Sequence, residues 1–272
     1  MASDALRAMG KEQEGERQQS SSLLCRFASC HSPYMATSSL FGSDSEDEDG
    51  AGAAAPATAS CTPPTGLFLF PSLIAPAAQH ALAASLASTI FTNHSNQAMF
   101  FSSPSRSPLP AFLAPVLDSL PSLLSALPAE LHAILFDSTH AQQAIFNLYH
   151  PGQGISPHVD LPHRYEDGII GISLCGSAVM EFTRGEELYA VLLRSGDVYV
   201  LSGEARWEWK HGIAAREEDW VEGEEGERVR LRRRLRISVT LRRMKKGADV
   251  VGGELEGLRD ELEEGEQARE VS

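Results

Sequence analysis

From Gly66 onward, short apolar runs alternate with turn residues, and the pattern divides into a helical part followed by a strand-rich part. Leu67-Phe68-Leu69-Phe70 reads as a short strand, and residues 75–90 are rich in Ala and Leu at a helical period. A proline-rich piece, residues 102–110, interrupts the pattern. Residues 119–136 then carry Leu120, Leu123, Leu124, Leu127 and Leu131 at helical spacing, which predicts a second helix. Beyond Ala141, strands are expected over residues 144–149, 169–174, 179–183, 188–193, 198–202, 206–211 and 236–242. Glycine-containing turns separate them, as at Cys175-Gly176-Ser177 and Arg184-Gly185-Glu186. Helices followed by evenly spaced short strands predict an α+β, mainly β fold: a double-stranded β-helix, or jelly roll, braced by N-terminal helices.

The flanks have a different composition. Residues 1–65 are rich in Ser, Ala, Gln, Gly and acid, and cannot bury enough apolar area to offset ordering entropy. The expected organisation is therefore a disordered tail over 1–65, a folded domain over 66–244, and an acidic tail, disordered or helical, over 245–272. The chain has 272 residues, and 42% hydrophobic residues suffice for a real core.

The 37 acidic against 23 basic residues give a net charge of −14, but the charge is unevenly placed. Acid dominates residues 43–49 and 254–270, whereas residues 228–246 are dense in arginine and lysine, so net charge does not exclude a nucleic-acid partner. The acidic stretches are solvated linkers or tails that recruit protein partners. Cys25, Cys30, Cys61 and Cys175 show no disulfide framework, and Cys25, Cys30 and His31 form half a zinc motif with no second pair. The most apolar stretch, residues 67–91, is broken by Pro71, Pro76, Gln79 and His80, short of the roughly 18 uninterrupted apolar residues of a membrane span. Asp4, Glu12, Glu14 and Glu16 disfavour a secretory signal. A cytoplasmic or nuclear monomer with no membrane association is expected.

Candidate chemistry gathers in the strand-rich part. His158 and Asp160 are two residues apart, so in a strand they share a face, and His211 on a later strand can complete one side of a metal's coordination shell. Two imidazoles and a carboxylate make the facial triad of non-haem Fe(II) oxygenases; the same set can hold Zn²⁺ in a non-catalytic binding module. Arg236, Ser238, Thr240 and Arg242 alternate with Ile237, Val239 and Leu241, giving one polar and one apolar face. Asn147 and Tyr149 share a face on the strand leading into the rigid Gly/Pro loop from Pro151 to Pro157. By parity Trp207, Trp209 and His211 fall together on their strand. A dianionic cosubstrate needs a fixed cation at its far end, and Arg236 suits that task because guanidinium binds carboxylate bidentately.

The string Asn147-x-Tyr149-x-Pro151-Gly152-x-Gly154-Ile155-x-x-His158-x-Asp160, then Ser202-Gly203-Glu204-Ala205-Arg206, His211-Gly212-Ile213 and Arg236-x-Ser238-x-Thr240-x-Arg242, resembles AlkB-like Fe(II)/2-oxoglutarate dioxygenases over about residues 66–244. The resemblance implies that His158, Asp160 and His211 ligate Fe(II) as the catalytic centre, and that Arg236 pairs with the remote carboxylate of 2-oxoglutarate. It further implies that Asn147 and Tyr149 hydrogen-bond this cosubstrate, that Arg242 braces Asp160, and that Ser238 and Thr240 line the same wall. The implied activity consumes 2-oxoglutarate and O2 as cosubstrates, releases succinate and CO2, and hydroxylates or oxidatively dealkylates a substrate. A modified nucleobase in RNA or DNA is the first expectation, and the look is closest to eukaryotic AlkB-homologue domains linked to tRNA modification. A protein or small-molecule substrate is the alternative.

Other features carry two readings each. His163 is a loop residue at the pocket mouth or an extra ligand. Trp207 and Trp209 stack a flat substrate or fill the core. Residues 228–234 form a phosphate-binding stripe or salt-bridge to the acidic loop over 216–227. No nucleotide-recognition lid is identifiable over residues 102–139.

Overall fold

The computed structural model describes residues 58–59, 62–92, 95–102, 108–223 and 226–248. Most of both expected tails, with Cys25, Cys30, His31, Cys61 and the acidic run over 43–49, lies outside the described residues. Within them the strands are β1 (Thr58–Ala59), β2 (Leu67–Phe70), β3 (Gln97–Ser102), β4 (Gln142–Tyr149), β5 (Ile155–His158), β6 (Tyr165–Cys175), β7 (Ala178–Arg184), β8 (Glu187–Leu193), β9 (Val198–Leu201), β10 (Lys210–Ile213), β11 (Glu218–Glu222), β12 (Arg228–Arg232) and β13 (Arg236–Met244). Helices Pro76–Thr89 and Ala129–Phe136 precede the barrel strands, with shorter helical turns at Ala111–Leu113, Ala114–Leu117, Leu120–Leu123 and Gly203–Trp207.

Two sheets face each other. The six-stranded sheet runs β2-β9-β6-β13-β4-β3, the five-stranded sheet runs β1-β8-β7-β10-β5, and β11 pairs with β12 as a separate hairpin. This two-layer, helix-braced arrangement is the jelly roll the sequence predicts. Alternation sorts the side chains of the larger sheet onto two faces. Phe68, Phe70, Phe146, Leu148, Ile170, Ile172, Leu174, Val198, Val200, Ile237, Val239 and Leu241 join Leu82, Leu86, Leu120, Leu124, Leu131 and Leu135 from the helical segments in one core. The opposite face packs Ile169, Tyr199 and Leu201 against Phe182, Tyr189, Val191 and Trp209 in a second core between the sheets.

Segments at the edges of the domain are tied to it. Thr58 and Ala59 pair in parallel with Glu187 and Leu188, and the Thr65 carbonyl accepts a hydrogen bond from the Ala205 amide at 2.9 Å. At the other end the Lys245 amide donates to the Arg164 carbonyl at 3.0 Å.

The expected helix over 119–136 is divided. Pro128, which has no amide hydrogen, stands just before Ala129–Phe136, and Pro121 lies in the first turn of Leu120–Leu123, yet Leu120, Leu124, Leu127 and Leu131 all still reach the core. The expected strand over 206–211 is also corrected. The Ser202 hydroxyl and Gly203 amide both donate to the Asp167 carboxylate, which anchors the start of the helical turn Gly203–Trp207. Extended backbone resumes only at Lys210, so Trp207, Trp209 and His211 do not share a strand face. Strands β1, β3, β11 and β12 were not foreseen by the periodicity, and β5 begins within the stretch expected to be a Gly/Pro loop.

Candidate metal and cosubstrate site

The site lies between the sheets, and backbone register places its parts. β10 sits between β7 and β5, with His211 opposite both Phe182 and His158. Close packing of β5 on β10 requires a small residue at position 154, where a Cβ would lie 2.1 Å from the Ile213 carbonyl oxygen. This accounts for the glycine in the rigid loop that delivers His158. β5 ends at His158, so Asp160 stands just past the strand rather than on it. The expectation that alternation along a strand aligns His158 with Asp160 is corrected accordingly.

Donor atoms of His158, Asp160 and His211 nevertheless all lie within 4.8 Å of one another. The two imidazole rings are 4.5 Å apart, and His211 Nε2 is 3.8 Å from Asp160 Oδ2. His158 Nδ1 lies 2.9 Å from the Ser156 carbonyl oxygen. Since a carbonyl only accepts, that contact puts the ring proton on Nδ1 and leaves Nε2 with its lone pair for a metal. Asp160 is held twice: Arg242 Nη1 donates to its Oδ1, and Arg206 Nη1 donates to its backbone carbonyl at 2.9 Å. Arg242 in turn lies over the Tyr165 ring at 4.2 Å.

His211 is 8% exposed, and burial pushes its pKa down to about 4; nearby His158, Arg206 and Arg242 add to that effect against the pull of Asp160. The imidazole is therefore neutral at physiological pH, as a metal ligand must be. In the metal-free protein the unfolded chain binds this proton near pH 6.5 and the folded one does not until about pH 4. His211 thus withdraws stability as pH falls through that window. Melting temperature measured on chelator-treated protein should drop from pH 7 to pH 4, and the drop should be smaller in His211→Asn.

The second half of the site is the polar face of β13. Arg236 stands opposite Tyr149, and Ser238 opposite Asn147, on β4; on β6 Ser238 stands opposite Ser173 and Thr240 opposite Gly171. Arg236 is 3% exposed, and its Nε donates to the Ser173 hydroxyl at 3.0 Å. The Tyr149 ring lies 5.8 Å from its guanidinium. The Asn147 side-chain oxygen accepts from Gln97 Nε2 at 2.7 Å, which directs its amide nitrogen elsewhere. Arg236 Nη2 is buried without a hydrogen-bond partner among the described residues. A buried guanidinium with a free donor calls for an anion.

Three features of the site escaped sequence reading. Arg206 lies inside a quoted motif, but its grip on the Asp160 backbone was not foreseen. Tyr199, buried on β9, lies across the bare Gly171 backbone of β6. The third is the burial of an ion cluster behind the candidate metal site, although pairing of residues 228–234 with the 216–227 loop was one of the two sequence readings: Asp219, fully buried, accepts from Arg233 Nε at 2.7 Å and Nη2 at 2.8 Å, from Arg216 Nε at 2.7 Å, and from the Val179 amide at 3.1 Å. Arg233 Nη1 also donates to the Ala214 carbonyl at 2.6 Å and the Gln153 carbonyl at 3.4 Å. These carbonyls lie just after β10 and just before β5, so the cluster ties together the strands that carry His211 and His158.

The arginine stripe accordingly divides. Arg233 is a buried structural residue and Arg230 bridges Glu218 at 3.2 Å, whereas Arg228 and Arg232 are exposed. Trp209 belongs to the core between the sheets, and Trp207 is half-buried beneath Arg206 at 4.2 Å. His163 is exposed. Burial pushes the Cys175 thiol up to about 11, away from nucleophilic use. No helix among the described residues is long and apolar enough to cross a membrane.

Comparison with known proteins gives a consistent picture. The sequence profile of the 2OG-Fe(II) oxygenase superfamily matches residues 103–242, just over half of the chain. Uncharacterized protein L905 of Acanthamoeba polyphaga mimivirus is 32% identical over 136 residues, covering 49% of this chain and 62% of that protein. The tRNA (carboxymethyluridine(34)-5-O)-methyltransferase alkbh8 of Xenopus tropicalis is 40% identical over 88 residues, covering 32% of this chain and 14% of that protein. The N6-methyladenosine RNA demethylase ALKBH of Cryphonectria parasitica is 31% identical over 100 residues, covering 31% and 44%. The chain thus spans less than two thirds of each of these relatives.

Proposed function

Because the chain belongs to the 2OG-Fe(II) oxygenase superfamily, we propose that it is an Fe(II)- and 2-oxoglutarate-dependent dioxygenase that hydroxylates or oxidatively dealkylates a modified nucleobase, in RNA before DNA. The observation that carries the proposal is the free, buried Nη2 of Arg236, on the same polar face of β13 from which Arg242 reaches Asp160, combined with the clustered His158, Asp160 and His211 donors. A structural zinc site needs the second feature and has no use for the first.

The donor set fits iron: two imidazoles and one carboxylate would bind from one side and leave the other positions open. With iron bound, the site couples oxidation of 2-oxoglutarate by O2, to succinate and CO2, to insertion of the second oxygen atom into a substrate C–H bond. The protein's own residues position and exclude. Arg236, with Tyr149 and Asn147, takes the cosubstrate's remote carboxylate, while Ser238 and Thr240 line the wall between them. Arg242 and Arg206 hold Asp160 so that its Oδ2 faces the histidines. If the oxidised carbon is bonded to nitrogen, the hydroxylated product collapses to an N–H group and an aldehyde.

Two relatives, named a tRNA methyltransferase and an RNA demethylase, support an RNA substrate. The rim of the larger sheet supports it too. Met99 and Phe101 are exposed on β3, on the face shared with Asn147 and Gln143, and the Arg164 guanidinium lies 5.8 Å from the Phe101 ring. Such an apolar and cationic lip suits a stacked base. Exposed Arg228 and Arg232 offer phosphate contacts on the hairpin.

Binding and turnover of a panel of RNA and DNA oligonucleotides carrying N-alkylated or C5-substituted bases, read by nucleoside mass spectrometry, test this. The expected result is turnover of an RNA member. Arg228→Glu with Arg232→Glu should weaken binding across sequences and lower the log–log salt slope by about two, one for each phosphate that is no longer neutralised. Turnover of a peptide or metabolite with no oligonucleotide modified would assign the substrate elsewhere.

A further inference from the structure

Gln143 is 1% exposed, yet its Oε1 has no hydrogen-bond partner among the described residues. Its Nε2 donates to Met99 Sδ at 3.6 Å, and a thioether is a weak acceptor. Leaving a buried amide so poorly matched is costly, and it calls for a ligand.

Register fixes where the amide stands. On β4 it shares a face with Asn147 and Tyr149, and it lies opposite Arg242 on β13 and Phe101 on β3. Ile169, the partner of Arg242 on β6, packs in the core between the sheets, so Gln143 and Arg242 face the same gap. Arg242 is the residue that holds Asp160. Gln143 therefore adjoins the arginine beside the candidate metal ligands, at the opposite end of the polar face from Arg236.

The Nε atoms of Arg242 and Arg164 are also buried without a partner among the described residues. Arg242 lies across from Gln143, and the Arg164 guanidinium is 5.8 Å from the ring of Phe101, which is exposed. An unpaired acceptor and two unpaired donors beside an exposed ring suit a flat ligand whose edge carries both kinds of group. Met99, 52% exposed, covers the amide, and its unbranched side chain can swing aside at little cost. A primary amide offers an acceptor and a donor side by side, so it pairs bidentately with a base edge that presents an N–H next to an acceptor.

We propose that Gln143 is a specificity-determining residue for the substrate base: the base displaces Met99, stacks on Phe101 and pairs its hydrogen-bonding edge with the Gln143 amide. This rests on the nucleobase reading above. The oxidised substituent then lies off the ring nitrogen of that edge.

The full chain loaded with Mn²⁺ and 2-oxoglutarate is titrated with short single-stranded RNAs that differ only in one central nucleotide. The probes carry adenosine, uridine, guanosine or cytidine there, or the same nucleoside methylated at the ring nitrogen of its hydrogen-bonding edge. Wild type should prefer one base over its methylated counterpart by about tenfold or more, as a good bidentate pair allows. Gln143→Met, which keeps the chain length and loses the amide, should bring that ratio close to one. Its melting temperature should equal or exceed that of wild type, because an orphaned acceptor gives way to an apolar group of similar shape. Gln143→Leu repeats the test if the methionine variant misfolds.

A preference that survives the loss of the amide would overturn the assignment, as would a wild type that binds all the probes alike. A lower melting temperature together with weakened 2-oxoglutarate binding would make Gln143 a support for Arg242 and overturn it too. A wild type that binds 2-oxoglutarate but no RNA would reject the nucleobase reading and this inference with it. One that binds no 2-oxoglutarate would reject the dioxygenase reading itself.

Discussion

Arg236→Ala should weaken 2-oxoglutarate binding by a factor of about a hundred or more, roughly 3 kcal/mol, while leaving affinity for a divalent metal near wild type. The size follows from burial. Arg236 is 3% exposed, and its Nη2 is a buried donor with no partner among the described residues. Truncation would leave a desolvated carboxylate without a counter-charge, and water could not fully replace the guanidinium in so closed a space. Metal binding is spared because Arg236 touches none of the three ligands; its own hydrogen bond is to Ser173. Arg236→Lys should recover only part of the loss, since an ammonium cannot hold Ser173 and a carboxylate with one planar fork. Calorimetry with 2-oxoglutarate on metal-loaded protein reads the effect, and a loss below about threefold would remove Arg236 from the anchor role.

The largest expected effect on stability comes from a residue outside the pocket. Asp219→Ala should cost about 3–5 kcal/mol, because it leaves buried Arg233 with an uncompensated charge. For a domain of this size that corresponds to a fall of roughly 10 °C or more in melting temperature. Burial alone would raise the Asp219 pKa, but Arg233 and Arg216 hold it below the usual carboxylate range, so the pair is ionised throughout the physiological pH range. The same substitution should loosen metal binding, because Arg233 links the Ala214 and Gln153 carbonyls beside the strands of His211 and His158. Thermal melts and metal titrations of Asp219→Ala check both parts. A wild-type melting temperature would show that the cluster contributes nothing net, as some buried ion pairs do.

Legibility in the sequence followed the strength of local signals. The polar and apolar alternation over 236–242 announced β13 and both its faces, because a two-residue period needs only one strand to be seen. Helix Pro76–Thr89 was legible from an Ala/Leu run with proline at its start, and the order of helices before strands pointed to the braced jelly roll.

What stayed hidden depended on partners distant in the chain. β5 and β10 are four residues each and interrupted by Pro157 and Gly212, too short for a period to register. The Trp207, Trp209 and His211 spacing imitated a strand, because helical and extended backbone compete over five residues and Asp167, far upstream, settles the contest. Asp219 and Arg233 sat within runs of like charge that read as a salt-bridged loop or a phosphate-binding stripe, and nothing local marks one carboxylate in such a run as buried. Tyr199 looked like one more apolar strand residue, since its direction is set by the absence of a side chain at Gly171 on another strand.

Release of labelled CO2 from 2-oxoglutarate by the purified full chain, with and without Fe(II), in wild type and His158→Ala, probes the dioxygenase assignment at its root. Wild type should show iron-dependent release that chelator abolishes and that His158→Ala reduces to background. Release that is independent of iron, equal in the two proteins, or absent from a wild type confirmed to be folded and iron-loaded would contradict the assignment.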